Sequence, residues 1–200
     1  MSRIDGVGDG AGGPMVRLAY RLIRPQIGGR VPTSMRLTAR RPGVLWGVGL
    51  MELANQRGLR LPGRLVELTV LKSASELGCP FCLDIGSWVA RTQHGVTDEE
   101  LVGLQRHHDA PCFSDADRAA FDLAVAMTTA PSTADADDAL WARLRTHFDE
   151  DQIVELAHII AWENYRSRFN VALGLQPDGF SDGAACAVAA RPPAVAAAAS

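Results

Sequence analysis

Residues 76–95 read ELGCPFCLDIGSWVARTQHG, and the reading of this stretch decides the rest. Gly78 can end one helix, after which Cys79 stands as the N-cap of the next, Pro80 as its first residue and Cys82 as its third. Proline is tolerated at a first helical position because its missing N–H would have no intrahelical partner there. Both sulfurs then lie on one first turn, where unpaired N–H groups and the helix dipole favour a thiolate. A separation of two residues also lets the pair join and reopen without large backbone movement. Spacing alone leaves three readings open: a redox pair, part of a zinc site, or two buried structural cysteines. Zinc asks for four ligands as a rule, and the chain has no second Cys-x-x-Cys; His107 and His108 are adjacent, the wrong arrangement for a ribbon or finger.

Working outward, nearly every flanking segment carries apolar residues at helical spacing, with almost no alternating Val/Ile/Thr pattern, so the fold class is all-α. Prolines open expected helices near 14–24, 42–56 and 62–76. Thr97 with Glu100, and Ser114 with Asp117, make capping boxes for the next two, and Pro131 closes the second of these. A further helix is expected over 136–147. The longest starts around 149–151, where acidic residues suit the positive end of the dipole, and runs to about 173 before Gly174.

On the helix before the cysteines, LPGRLVELTVLKSASE, Arg64, Lys72, Ser75 and Glu76 fall on one side, whereas Glu67 lies among Val66, Val70, Leu71 and Ala74. An acid on an apolar arc must be paired or have its pKa raised. So placed, Glu67 could accept and return a proton as a thiol ionises, or it could pair with an arginine of a neighbouring helix.

The chain has 200 residues, 47% hydrophobic and 22% charged, with a net charge of -3, which suits one soluble globular domain and argues against a general nucleic-acid binder. Residues 1–41 hold eight arginines against Asp5 and Asp9, a basic N-terminal extension read as a solvated arm packing over a neighbouring subunit or as an anion site. Residues 1–13 are Gly-rich and expected to be disordered; residues 182–200 form a low-complexity tail. The best apolar run, 44–51, stops at Glu52, short of a membrane span, and MSRIDGVGDGAGG lacks the apolar core of a secretory signal. A cytoplasmic protein is expected, and a reducing compartment favours reactive or metal-binding cysteines over a permanent bridge. Cys112 and Cys186 have no cysteine nearby and are read as spectators. No Gly-rich dinucleotide motif follows a strand, so no flavin or nicotinamide cofactor is expected.

Glu67, eleven residues, Cys79, two residues, Cys82 resembles the signature of the carboxymuconolactone decarboxylase superfamily, in particular its AhpD-like alkylhydroperoxidase branch. The resemblance runs from about Val44 to Phe180, within an expected helical domain over residues 42–181, and includes ELGCPFCLDIGS, FSDADRAAFDLAVAMT and WENYRSRFNVALG. It implies an all-α domain with orthogonal helix packing, assembled as a trimer or hexamer, and thiol-based peroxide or disulfide reduction recharged by an external dithiol protein. It gives Cys82 the attacking role and Cys79 the resolving role, with Glu67 in a proton relay. Cys79, as N-cap, is expected to be the better exposed, so the assignment of roles stays open. The family histidine expected four residues after the second cysteine is Gly86 here, and the one found between the cysteines in some members is Phe81. Asp84 and His158 are auxiliary candidates; Asp84 points ~200° from Cys82 on a regular helix, and His158, amid Ala157, Ile159, Ile160 and Ala161, could face the core. His94 lies three turns on, at a helix end. A lactone-handling decarboxylase on the same fold, or a non-enzymatic redox-sensing oligomer, are the alternatives.

Overall fold

The computed structural model describes residues 2–181, so Cys186 and the expected low-complexity tail lie outside the described residues. The described chain is helical, with no strand among its residues. In chain order the helices are α1 (Pro14–Ile23), α2 (Thr33–Thr38), α3 (Pro42–Gly58), α4 (Gly63–Glu76), α5 (Pro80–His94), α6 (Asp98–Gly103), α7 (Asp115–Thr129), α8 (Asp138–His147) and α9 (Glu150–Ala172).

Local chemistry sets the boundaries. Both expected capping boxes form at α6 and α7, and a third, Asp149 with Gln152, starts α9. Gly78 adopts φ +64°, a left-handed turn that separates α4 from α5 at no steric cost to a residue without Cβ.

Helix α4 is the hub, packed against α5, α7 and α9. Leu68, Leu71 and Ala74 are fully buried on it, and each leucine so placed is worth about 2 kcal/mol relative to exposure. Because neighbours surround the helix, the side that carries Lys72, Ser75 and Glu76 is buried as well. Lys72, 4% exposed, pairs with Glu76 at 3.0 Å and donates to the Leu104 carbonyl in the turn after α6.

A second, smaller core joins Val16, Ala19 and Tyr20 of α1 to Val31, Ala39 and Leu45, so the basic segment and the start of α3 share one packing unit. Residues 2–13, where sequence composition suggested disorder, are tied down: Arg3 N–H donates to the Leu173 carbonyl, Val7 N–H to that of Arg36, and the Tyr20 hydroxyl to that of Val7. Several of the arginines have partners within the chain. Arg24 and Arg36 both pair with Asp9, while Arg30 donates to the carbonyls of Asp178 and Gly179 and lies over the Phe180 ring. None of the helices among the described residues is long and apolar enough to cross a membrane.

Candidate active site

The turn at Gly78 places Cys79 at the N-cap of α5, and Pro80 occupies the first helical position. Cys79 Sγ accepts the Cys82 N–H at 3.2 Å, filling a donor that the first turn would otherwise leave open. The two cysteines are joined as a disulfide across a Cα separation of 5.3 Å. Exposure reverses the expectation from sequence: Cys79 is 0% exposed and Cys82 7%. An N-cap side chain folds back over its own first turn to reach the N–H groups, and here that motion carries the Cys79 sulfur inward.

Cys82 Sγ lies 3.3 Å from Ser167 Oγ and 3.3 Å from Asn170 Nδ2, both donors on α9. Positions 167 and 170 are one helical turn apart and so share a face. Ser167 Oγ also stands 2.6 Å from Glu163 Oε1, a further turn back. The hydroxyl has one hydrogen and two acceptors, so it can give that hydrogen to the carboxylate while its lone pair takes a proton from a thiol. Cys82, Ser167 and Glu163 form a continuous chain of hydrogen-bonding groups.

Glu163 is 1% exposed, and burial pushes its carboxyl up, against the pull of Arg166 and the Ser167 hydrogen bond. Arg166 Nη2 is 2.6 Å from Glu163 Oε2, and its Nη1 is 3.0 Å from Glu52 Oε1 on α3, which also accepts Trp162 Nε1. Glu67 belongs to the same charge group. Burial raises its pKa to about 7, with Glu52 and Glu163 pushing the same way and Arg166 opposing. Its side chain keeps 19% exposure, and its Oε1 is 3.9 Å from His94 Nε2, at the last turn of α5. Three carboxylates thus surround one guanidinium, an excess of negative charge that favours retaining a proton near neutral pH.

The two auxiliary candidates are bonded to other partners. Asp84, buried, accepts the N–H groups of Phe180 and Ser181 and the Ser181 hydroxyl, and these bonds hold its carboxyl below the usual range despite burial. It anchors the segment after α9. His158 bonds Asn55 of α3 at 2.7 Å and sits nine residues before Ser167, roughly 14 Å along the helix axis. At Gly86 an added Cβ would meet Leu71 Cδ2 at 2.9 Å, so α4 and α5 are too close for a histidine to enter without repacking. Trp88 packs against Phe180, and Trp162 stacks on Tyr165.

Sequence reading assigned no role to Glu163, Ser167 or Asn170. A signal was present in WENYRSRFN: residues 163, 164, 167 and 170 are polar at three- and four-residue spacing on a helix whose inward side is Ile153, Leu156, Ile159 and Ile160 one turn earlier.

Residues 48–126 match the model of the carboxymuconolactone decarboxylase family. The uncharacterized protein YnjA of Escherichia coli (strain K12) is 37% identical over 101 residues, which make up 50% of this chain and 54% of YnjA, about half of that protein's length. The uncharacterized protein YdfG of Bacillus subtilis (strain 168) is 32% identical over 108 residues, 54% of this chain and 72% of YdfG. Among solved structures, an uncharacterized peroxidase-related protein of Ralstonia eutropha JMP134, with an alkylhydroperoxidase AhpD core, superposes with a TM-score of 0.78 at 19% identity, over 90% of this chain and 94% of that one. The debrominase Bmp8 superposes with a TM-score of 0.76 at 21% identity, over 88% and 92%. At such identities the likeness carries the fold, which is all-helical and AhpD-like.

Proposed function

The chain belongs to the carboxymuconolactone decarboxylase family, and on that premise we propose that it is a thiol-dependent oxidoreductase that reduces hydroperoxides through Cys82 and Cys79. The observation that carries the reading is the surrounding of the Cys82 sulfur: two side-chain donors at 3.3 Å, one of them leading to a buried carboxylate. Donors of this kind favour the thiolate, the reacting form in peroxide reduction.

In the reduced protein the Cys82 proton passes to Ser167 while the Ser167 hydrogen passes to Glu163. The Cys82 thiolate attacks the outer peroxide oxygen, the O–O bond breaks, and an alkoxide leaves with a proton returned along the same path. Cys82 is then a sulfenic acid. Cys79 attacks its sulfur, water departs, and the disulfide forms. One hydroperoxide becomes one alcohol and one water, and two thiols are oxidised. Glu67, near its midpoint at pH 7, supports the path by exchanging a proton with the group around Arg166.

Each turnover ends in a closed bridge, so the reaction requires an external dithiol, a protein in the reading from family resemblance, and no bound cofactor. The exposed apolar residues Met15, Leu18 and Leu22 of α1 and Leu50 of α3 support assembly with further copies of the chain. A cytoplasmic setting fits a bridge that must be repeatedly reopened.

Thiol titration of the reduced protein with an alkyl hydroperoxide tests this. The parent loses two thiols per peroxide, Cys79→Ser stops at a Cys82 sulfenic acid, and Cys82→Ser does not react. Peroxide consumption by both variants at the parental rate refutes the proposal. Turnover of a carboxymuconolactone by Cys79→Ser would replace it with the decarboxylase reading.

A further inference from the structure

A second constellation lies in residues that the thiol chemistry does not use. His107 and His108 follow the short helical turn 104–106, and Asp122 projects from α7 fifteen residues on. His107 Nε2 is 3.0 Å from Asp122 Oδ1, and His108 Nε2 is 3.2 Å from the same oxygen; one potential ligand atom from each of the three residues lies within 4.8 Å of the others.

We propose that His107, His108 and Asp122 bind a divalent transition-metal ion of the zinc class. Adjacent histidines alone fit neither a zinc ribbon nor a finger, but the fold supplies a third ligand from a different helix. With metal–ligand bonds of about 2.0–2.1 Å, a tetrahedral site places its ligand atoms roughly 3.3 Å apart. The two short separations here differ from that by only tenths of an ångström, so both histidines already stand at ligand spacing from the Asp122 oxygen.

The supporting contacts are those of a prepared site. His107, its side chain 7% exposed, has its ring held edge-on to Phe121 at a centroid distance of 5.7 Å, and its carbonyl accepts Arg118 Nε. Asp122 gives its other oxygen, Oδ2, to Arg143 Nη2 at 2.8 Å, which fixes the carboxylate and leaves Oδ1 for the ion. His108, 63% exposed, provides the way in. Two imidazoles with a single carboxylate select borderline metals over magnesium or calcium, which favour oxygen ligands. The remaining coordination position goes to water. Binding requires both Nε2 atoms to be free of protons, so each neutral ring carries its hydrogen on Nδ1 in the loaded state.

The test is a calorimetric titration of the full chain with Zn²⁺, in a Cys112→Ser, Cys186→Ser background with the Cys79–Cys82 bridge closed, so that no thiol competes. One ion per chain is expected, with affinity weakened tenfold or more by His108→Ala, whose exposed side chain leaves folding intact, and by Asp122→Asn. Mg²⁺ in large excess should not displace the ion. The proposal is overturned if the parent shows no saturable binding, if both variants bind like the parent, or if Mg²⁺ competes; any of these leaves the three residues as a hydrogen-bonded cluster only.

Discussion

Replacing Ser167 with alanine removes one oxygen that touches both the Cys82 sulfur, at 3.3 Å, and Glu163, at 2.6 Å, and changes nothing else in volume beyond that atom. A hydrogen bond to a charged group contributes about 1.5–3 kcal/mol, and a 3.3 Å contact to sulfur belongs at the low end. Loss of about 1.4 kcal/mol of thiolate stabilisation is a tenfold change in the ionisation equilibrium. Alkylation of the reduced protein by iodoacetamide, followed across pH in a Cys79→Ser background, reads this directly. The midpoint of the rate curve should move up by about one pH unit, with the rate on the acid side of the midpoint falling roughly tenfold. Asn170 remains in Ser167→Ala, so the plateau at high pH should persist. An unchanged midpoint refutes the reasoning, because it means that neither the hydroxyl nor the carboxyl behind it acts on the sulfur.

Two further outcomes follow from the same packing. The Glu67 carboxyl ionises near 4.5 in the unfolded chain and at about 7 in the fold, so the folded state holds the extra proton between these values. Stability therefore falls as pH rises through that window and is flat above it, by on the order of 2–3 kcal/mol, and Glu67→Gln should remove much of the slope in urea unfolding at pH 5 and pH 8; a slope equal to the parent's would place the titration elsewhere. Gly86→His, which restores the histidine expected from family resemblance, forces its Cβ onto Leu71 and should lower stability by about 1–3 kcal/mol, with partial recovery on adding Leu71→Val. A denaturation midpoint at or above the parent's would show that α4 and α5 part more easily than their contact indicates.

The elements of the fold were legible because their signals are local. Capping pairs such as Thr97 with Glu100 satisfy orphan N–H groups within four residues, and Pro80 and Gly78 fix the start of α5 through backbone geometry alone. The Cys-x-x-Cys and the uneasy position of Glu67 are local signals too. What escaped depends on which helices meet. Lys72 and Ser75 look solvent-facing by periodicity, yet α4 is enclosed on all sides and both are buried. Glu163 and Ser167 lie about 80 residues from Cys82, and only the packing of α9 across α5 brings the serine to the sulfur. The opening segment misled for a different reason: its glycines suggest a free chain, but the bonds that restrain it go to Arg36 and Leu173, partners that composition does not reveal.

The bridge is asymmetric, and in the proposed reaction this gives its reopening a direction. Cys79 is sealed from solvent while its sulfur accepts the first-turn N–H of Cys82, so the slightly exposed Cys82 is the sulfur that the proposed reaction offers to an incoming thiol. The bond that breaks then expels Cys79 as a departing thiolate already cradled by a helix N-terminus, the arrangement in which a sulfur leaves most readily. On the proposed reaction, peroxide and reductant would meet the same atom in turn, with the sheltered partner kept out of any mixed bridge.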